Sequence, residues 1–280
     1  MSDNAEQSRK AAPYVLGHTE HELQRLRTQA ALIDPITKWF LIEAGISTGM
    51  RVLDIGSGAG HVAFLAAEIV GDAGEVIGAD RSAEAVRAAT AEASARWLGN
   101  VSFRSGDPAE LTFGQPFDAV IGRYVLQFQA DPAAMLRKVA AHAKPGGVVV
   151  FHELDWGGIW SYPPAATHDT CCRWCVAAIG ESGAETGMGL KLRSTFVAAG
   201  LPEPELRMEA IMGGGSRSGV LIQQLVDLVR TVSPAIERLG LATAADIGHD
   251  TLFDRIADEV NATGSVLVGR LQVGCWSRTV

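Results

Sequence analysis

The stretch RVLDIGSGAGHVAF, Arg51 to Phe64, climbs through an apolar segment to an acid, passes three glycines at alternate positions and returns to apolar spacing. A backbone this bare between a strand and a helix lets an extended ligand lie against the main chain, where the amide N–H groups of a helix N-terminus point outward. The pattern therefore asks for a strand ending at Asp54, a tight turn over Gly56, Gly58 and Gly60, and a helix starting at His61. The rhythm continues downstream. Short apolar segments at 51–54, 75–80, 101–104, 118–121 and 148–152 alternate with helical patterns at 61–70, 83–98 and 132–143. Strands buried on both faces read this way. Such alternation builds a parallel sheet with right-handed crossovers and helices on both sides. KPGG at 144–147 is a turn into the fifth strand.

The flanks differ. Residues 1–12, polar and without periodicity, are expected to be a disordered tail. In 13–48, expected to be an N-terminal helical lid, Leu23, Leu26, Ala30 and Ile33 keep helical spacing, with Thr19 as N-cap and Glu22 completing a capping box. Pro35 is expected to break that run, and a second helix then carries Trp39, Phe40 and Ile42. The core is expected over 49–156, and 157–280 as the remainder of the same sheet with helical cap insertions. Within that last part, 206–212 reads as a strand, GGGSRSG at 213–219 as a flexible connection, 220–239 and 250–263 as helices, and 265–277 as a closing strand.

Composition excludes several classes. With 280 residues, 47% apolar and 20% charged, the chain has the balance of a soluble protein with a full core. A net charge of −8 and the lack of any Lys/Arg cluster argue against a nucleic-acid or anionic-lipid partner. No segment approaches the roughly 20 apolar residues that span a bilayer, and MSDNAEQSRK lacks a signal peptide's apolar core, so cytoplasm is the expected location. Cys171, Cys172 and Cys175 crowd into CCRWC, but zinc sites want four ligands in separated pairs, and Cys275 is the only distant thiol, with His168 nearby. Reduced, partly buried thiols and no metal are the expectation.

The acids around the glycines carry more information. Asp54 would repel a pyrophosphate but suits a cationic amino acid, and His61 stands where a dinucleotide fingerprint has its third glycine. Asp80 ends EVIGAD at the separation of a ribose-binding carboxylate; its other reading is a helix cap. Asp107, in RSGDPAEL, ends the third strand and either accepts from an adenine amino group or is a turn residue before Pro108. His61 is either a ligand neighbour or a surface residue.

VLDIGSGAG, EVIGADRS, FRSGDPAEL, FDAVIGRYVLQF and AKPGGVVVFHE, in this order over about 50–155, resemble the core of Rossmann-like (class I) S-adenosylmethionine-dependent methyltransferases. YVLGHTEHELQRL and GMGLKLRSTFVAAGL more loosely resemble bacterial small-molecule, often natural-product, members of that group. The resemblance implies an α/β three-layer sandwich around a mostly parallel seven-stranded sheet, with S-adenosyl-L-methionine as cofactor and S-adenosyl-L-homocysteine as product. It places Asp54, Gly56, Ser57, Gly58 and Gly60 at the methionine portion with His61 as a neighbour of the cofactor, and Asp80 at the ribose with Arg81 near the adenine. Gly106, Asp107 and Pro108 fall at the adenine edge, and Gly122 and Arg123 near the reactive centre. Pro108 has no N–H to offer the ring, so either Ala109 donates there or that bond is missing.

Methyl transfer is an in-line displacement in which positioning and water exclusion matter most. A base is added for some acceptors. Candidates at the strand ends are His152 and Glu153, and on the lid Tyr14 and His18; for His152 the reading as a satisfied core histidine stands ahead of the base. Tyr124, Gln127, Trp156, Trp160 and Tyr162 would wall an acceptor site, suggesting a small aromatic or partly apolar metabolite, methylated at N, O or C. A homodimer is compatible with this reading. Two rivals stand beside it: an NAD(P)-dependent oxidoreductase, and a non-catalytic S-adenosylmethionine-binding protein.

Overall fold

A computed structural model describes residues 20–158 and 160–280. Its central sheet follows the alternation: β1 Arg51–Ile55, α2 His61–Val70, β2 Glu75–Asp80, α3 Ala83–Ala95, β3 Val101–Ser105, β4 Phe117–Arg123, α4 Pro132–Ala140 and β5 Ala143–Asp155, preceded by α1, Glu20–Glu43. After β5 come β6 Ser161–Tyr162, α5 Ala166–Glu181, α6 Met188–Ala198, β7 Glu205–Glu209 and β8 Met212–Gly214. The chain closes with α7 Gly219–Arg238, α8 Ala244–Ile247, α9 Leu252–Thr263, β9 Val266–Val268 and β10 Leu271–Arg278.

Seven strands lie in the order β3-β2-β1-β4-β5-β10-β7. The pairs among β1 to β5 are parallel, and β10 runs antiparallel to both β5 and β7. Strand alternation sends Val52, Val76, Ile121 and Val150 to one face, under Phe40 and Leu41 of α1 and Ala63, Ala66 and Val70 of α2. Leu53, Ile77, Val120 and Phe151 go to the other, under Leu136 and Val139 of α4 and Leu192 and Phe196 of α6. This is the three-layer architecture with its mostly parallel seven-stranded sheet. A third apolar cluster joins α5, α7 and α9 over Leu154 and Trp156.

Tertiary packing redraws several expected boundaries. Pro35 does not end α1, which runs through it. The proline lies on the exposed side, while Ala30, Ile33, Phe40 and Leu41 are buried, and that burial outweighs the roughly 3 kcal/mol a helix-interior proline costs. A Cβ on Gly274 of β10 would stand 2.6 Å from the Phe40 ring, so the missing side chain lets α1 seat on the sheet. The expected closing strand is two: β9 pairs with β6 and β8 in a separate three-stranded sheet, and β10 joins the main one. The expected 206–212 strand divides in the same way into β7 and β8. The two crossings touch where Gly269 N–H donates to Ile211 O at 2.8 Å. GGGSRSG is ordered, not a loose connection: Gly213 and Gly214 are strand, and a Cβ on Gly213 would collide with Arg217 O at 2.4 Å. Among the described residues no helix is long and apolar enough to cross a membrane.

Candidate active site

Strand order reverses at β1, which has β2 on one side and β4 on the other; open parallel sheets bind ligands beyond the carboxyl ends of their strands at such a point. The glycine turn sits there. Gly56 N–H and Ser57 N–H both donate to Ala79 O, at 2.8 and 3.2 Å, tying the turn to β2. Gly58 has φ +51°, and a Cβ built on it would meet nothing within 4 Å because it would stand in open cavity. Gly56, at φ +66°, is bare for the opposite reason: its Cβ would strike Val125 at 2.7 Å, after β4. Asp80 locks the arrangement, its Oδ2 accepting from Gly58 N–H and its Oδ1 from Ser82 N–H, both at 2.8 Å. Capping of α3 falls to Ser82, whose side chain accepts from Ala85 N–H.

Asp54 lies beneath this turn, 1% exposed, and its Oδ2 has no hydrogen-bond partner among the described residues. Burial pushes its carboxyl up to about 8, with Arg123 pulling down and Asp80 pushing up. The Ser57 hydroxyl, on the cavity wall, is likewise buried without a partner. A cationic amino-acid tail above the turn would satisfy both groups, so the residues fit S-adenosylmethionine. His61, Arg81 and Pro108 line the same cavity.

The adenine edge differs from expectation. Asp107 accepts from Arg81 Nη2 at 2.7 Å and from Ala109 N–H at 3.0 Å, so the amide named as a replacement for the missing one of Pro108 is already engaged. Neither Asp107 nor Gly106 lines the cavity. Gly122 does not either: its missing side chain makes room for Phe151, 2.6 Å from a built Cβ. Arg123 does line it, and pins α1 over the strand end by donating to Asp34 Oδ1 at 2.8 Å and Thr37 Oγ1 at 2.9 Å.

Two expected catalytic residues fall away from the cavity. His152 and Glu153 do point to opposite faces of β5, but both faces are covered. His152 is packed edge-on against Phe40 at 5.0 Å and Tyr124 at 5.3 Å. Its Nε2 donates to Gln272 Oε1 at 2.8 Å, the amide orientation being set by Gln272 Nε2 donating to Arg270 O, and Nδ1 lies 3.1 Å from Thr37 Oγ1. Burial first, then Arg123, drive this imidazole down to about 3, so it stays neutral. Glu153 is fully buried and its Oε1 accepts from Val125 N–H at 2.8 Å and Leu126 N–H at 2.7 Å, while burial pushes its carboxyl up to about 8. Both residues shape the wall without reaching it. Tyr14 and His18 lie outside the described residues.

Among the expected acceptor residues, Tyr124, Gln127 and Trp156 line the cavity. Tyr124 adopts φ +58°, a conformation a bulky residue holds only when its surroundings over-determine it. Here its N–H donates to His152 O and its hydroxyl to Gln272 Oε1, at 2.9 and 2.6 Å. Trp160 instead packs on the α5–α7–α9 core, and Tyr162 is 73% exposed; neither lines the cavity, because β6 turns away into the small sheet. Sequence reasoning missed Ile211, Leu221, Gln224, Leu228, Arg270 and Gln272, which complete the wall. One signal was readable: Arg270 is the only charge within SVLVGRLQVGC. The whole forms one cavity of about 630 Å³ running from the glycine turn to Trp156 and α7.

Residues 46–195, more than half of the chain, match the model of a family described as a methyltransferase domain. The chain belongs to that family, and with its sheet order and donor turn it is a class I, S-adenosylmethionine-dependent member. It is 34% identical over 122 residues to the arsenite methyltransferase of Aquipseudomonas alcaligenes, covering 41% of this chain and 35% of the relative. It is 38% identical over 114 residues to the nocamycin O-methyltransferase of Saccharothrix syringae, covering 40% and 41%. The match thus spans between a third and a half of the length of these curated relatives. The fold is similar to that of a Haemonchus contortus phosphoethanolamine N-methyltransferase 2 solved with S-adenosylhomocysteine, at TM-score 0.55 and 17% identity over 88% of this chain and 52% of that one. S-adenosylmethionine is the cofactor, and the dinucleotide reading is set aside.

Proposed function

We propose that this protein transfers the S-adenosylmethionine methyl group to a small, planar, partly apolar organic acceptor. The observation that carries this reading is the single cavity joining the donor turn to an apolar chamber lined by Tyr124, Leu154, Trp156, Ile211 and Leu228. When bound, the cofactor supplies a methyl group already activated on a sulfonium. The turn at Gly56–Gly58 would cradle its amino-acid part, and Asp80, whose oxygens each keep a free lone pair, would receive the ribose hydroxyls. Ala30 and Ile33 of α1 form an apolar side of the cavity and help exclude water. Because His152 and Glu153 are buried off the cavity, the one with both ring nitrogens engaged by Thr37 and Gln272 and the other bonded to two backbone amides, neither reaches an acceptor to serve as the base, and the enzyme's contribution is chiefly positioning.

An organic acceptor fits better than arsenite. Soft-metal binding wants thiolates, whereas Cys171, Cys172 and Cys175 are buried in the cap core, where desolvation raises them to about 12, 11 and 12. Incubation with S-adenosylmethionine and a panel of phenols, naphthols, indoles and quinols, read as S-adenosylhomocysteine release, tests the reading. Turnover of at least one planar acceptor is expected. Trp156→Ala should raise that acceptor's KM by about tenfold, since a buried aromatic contact contributes on the order of 1 kcal/mol beyond area, and should leave cofactor affinity within about twofold. Binding of cofactor without turnover of any acceptor would instead support a non-catalytic role.

A further inference from the structure

Apart from Glu153 Oε2 and His249 Nδ1, which lie on residues away from the cavity, the buried polar atoms that lack partners among the described residues divide by sign between its two ends. Below and beside the donor turn they are Asp54 Oδ2 and Ser57 Oγ, oxygens suited to a cation. At the far end they are Trp156 Nε1, Gln224 Nε2 and Arg270 Nε, all donors on residues that line the chamber. Unsatisfied buried donors are rare in folded proteins, and three on residues that line one chamber point to a ligand there.

Arg270 adds charge to this set. Its guanidinium stacks on the Trp156 ring, with Cζ 4.3 Å from the ring centroid. None of the ion pairs among the described residues involves it. The carboxylate sharing this wall, Asp227, is occupied elsewhere, accepting from Gln223 Nε2 at 2.8 Å and lying 3.7 Å from Arg230. A guanidinium whose side-chain hydrogen-bond partner among the described residues is the Cys175 thiol, with no carboxylate beside it, is costly in a largely apolar chamber unless an anion joins it, and its planar fork matches a carboxylate. The aromatic face beneath fixes the plane in which that carboxylate would lie.

We propose that the acceptor is a planar organic acid whose carboxylate is received by Arg270, with the Trp156 indole N–H and the Gln224 amide as further donors. This rests on the function proposed above and names its substrate class. Arg270 thereby acts as a specificity-determining residue at the end of the cavity opposite the donor turn.

Calorimetric titration of the S-adenosylhomocysteine-loaded protein with 3-hydroxy-2-naphthoate and with its amide tests the assignment. The carboxylate is expected to bind at least about tenfold more tightly, the value of one charge-assisted pairing. Arg270→Gln should erase that preference and Arg270→Lys should keep part of it, with S-adenosylhomocysteine affinity within about twofold in both. A carboxylate that binds no more tightly than its amide, or a preference that survives Arg270→Gln, overturns the proposal. Should S-adenosylhomocysteine itself fail to bind the unaltered protein, the fault lies with the proposed function instead.

Discussion

Replacing Asp80 with alanine is expected to weaken S-adenosylmethionine binding by about 30- to 150-fold, equivalent to roughly 2–3 kcal/mol. The carboxylate ends β2 and holds two backbone amides at once, Gly58 N–H on the turn and Ser82 N–H at the start of α3. Alanine would orphan both donors and remove the group proposed to receive the ribose hydroxyls. Asp80→Asn keeps one acceptor oxygen but turns an N–H toward the other amide, so an intermediate loss is expected. Isothermal calorimetry on the three proteins decides: equal affinity for wild type and Asp80→Ala would remove Asp80 from the cofactor site.

Glu153→Ala is expected to destabilise the fold by about 3–5 kcal/mol at pH 5, because Val125 N–H and Leu126 N–H would be left buried without an acceptor at a cost of about 1–3 kcal/mol each. The loss should shrink as pH rises. Burial holds the folded-state carboxyl at about 8 against 4.5 for the free side chain. Its stabilising contribution is therefore complete below about 4.5 and is lost as pH climbs through 8, on the order of 3 kcal/mol having gone by pH 7. Glu153→Gln keeps an acceptor for the two amides and cannot ionise. It should match or exceed wild type at pH 8 and show a flatter stability profile between pH 5 and 8. Urea unfolding at several pH values checks this; a Glu153→Gln profile parallel to wild type would show that Glu153 is already ionised in the fold.

These two carboxylates illustrate how unevenly the site could be read in advance. The place of Asp80 beside the bare turn was legible because its partners, Gly58 and Ser82, lie in the turns of two successive strand–turn–helix units whose spacing is written locally. Glu153 is adjacent in sequence to His152 and shares its strand, and alternation correctly sent the two to opposite faces. Which faces were open was decided by α1, by the 124–128 segment and by Gln272, all distant in the chain. The same holds for Trp160 and Tyr162. They follow β5 as expected, yet β6 pairs with β9, about a hundred residues on, and carries them off the cavity.

By itself, the amino-acid order determined the parallel core, with β2 and α2 ending where their apolar periodicity ends, and the bare turn with its acids, since these depend on contacts within one or two elements. Only the tertiary structure decided that α1 continues through Pro35, that the last strand breaks at Gly269–Arg270, and that Ile211, α7 and Arg270 roof one chamber with Trp156. The reason is physical: the turn end of the cavity is built from backbone geometry that neighbouring residues specify, whereas the end proposed for the acceptor is built from side chains brought together by burial across more than a hundred residues of sequence.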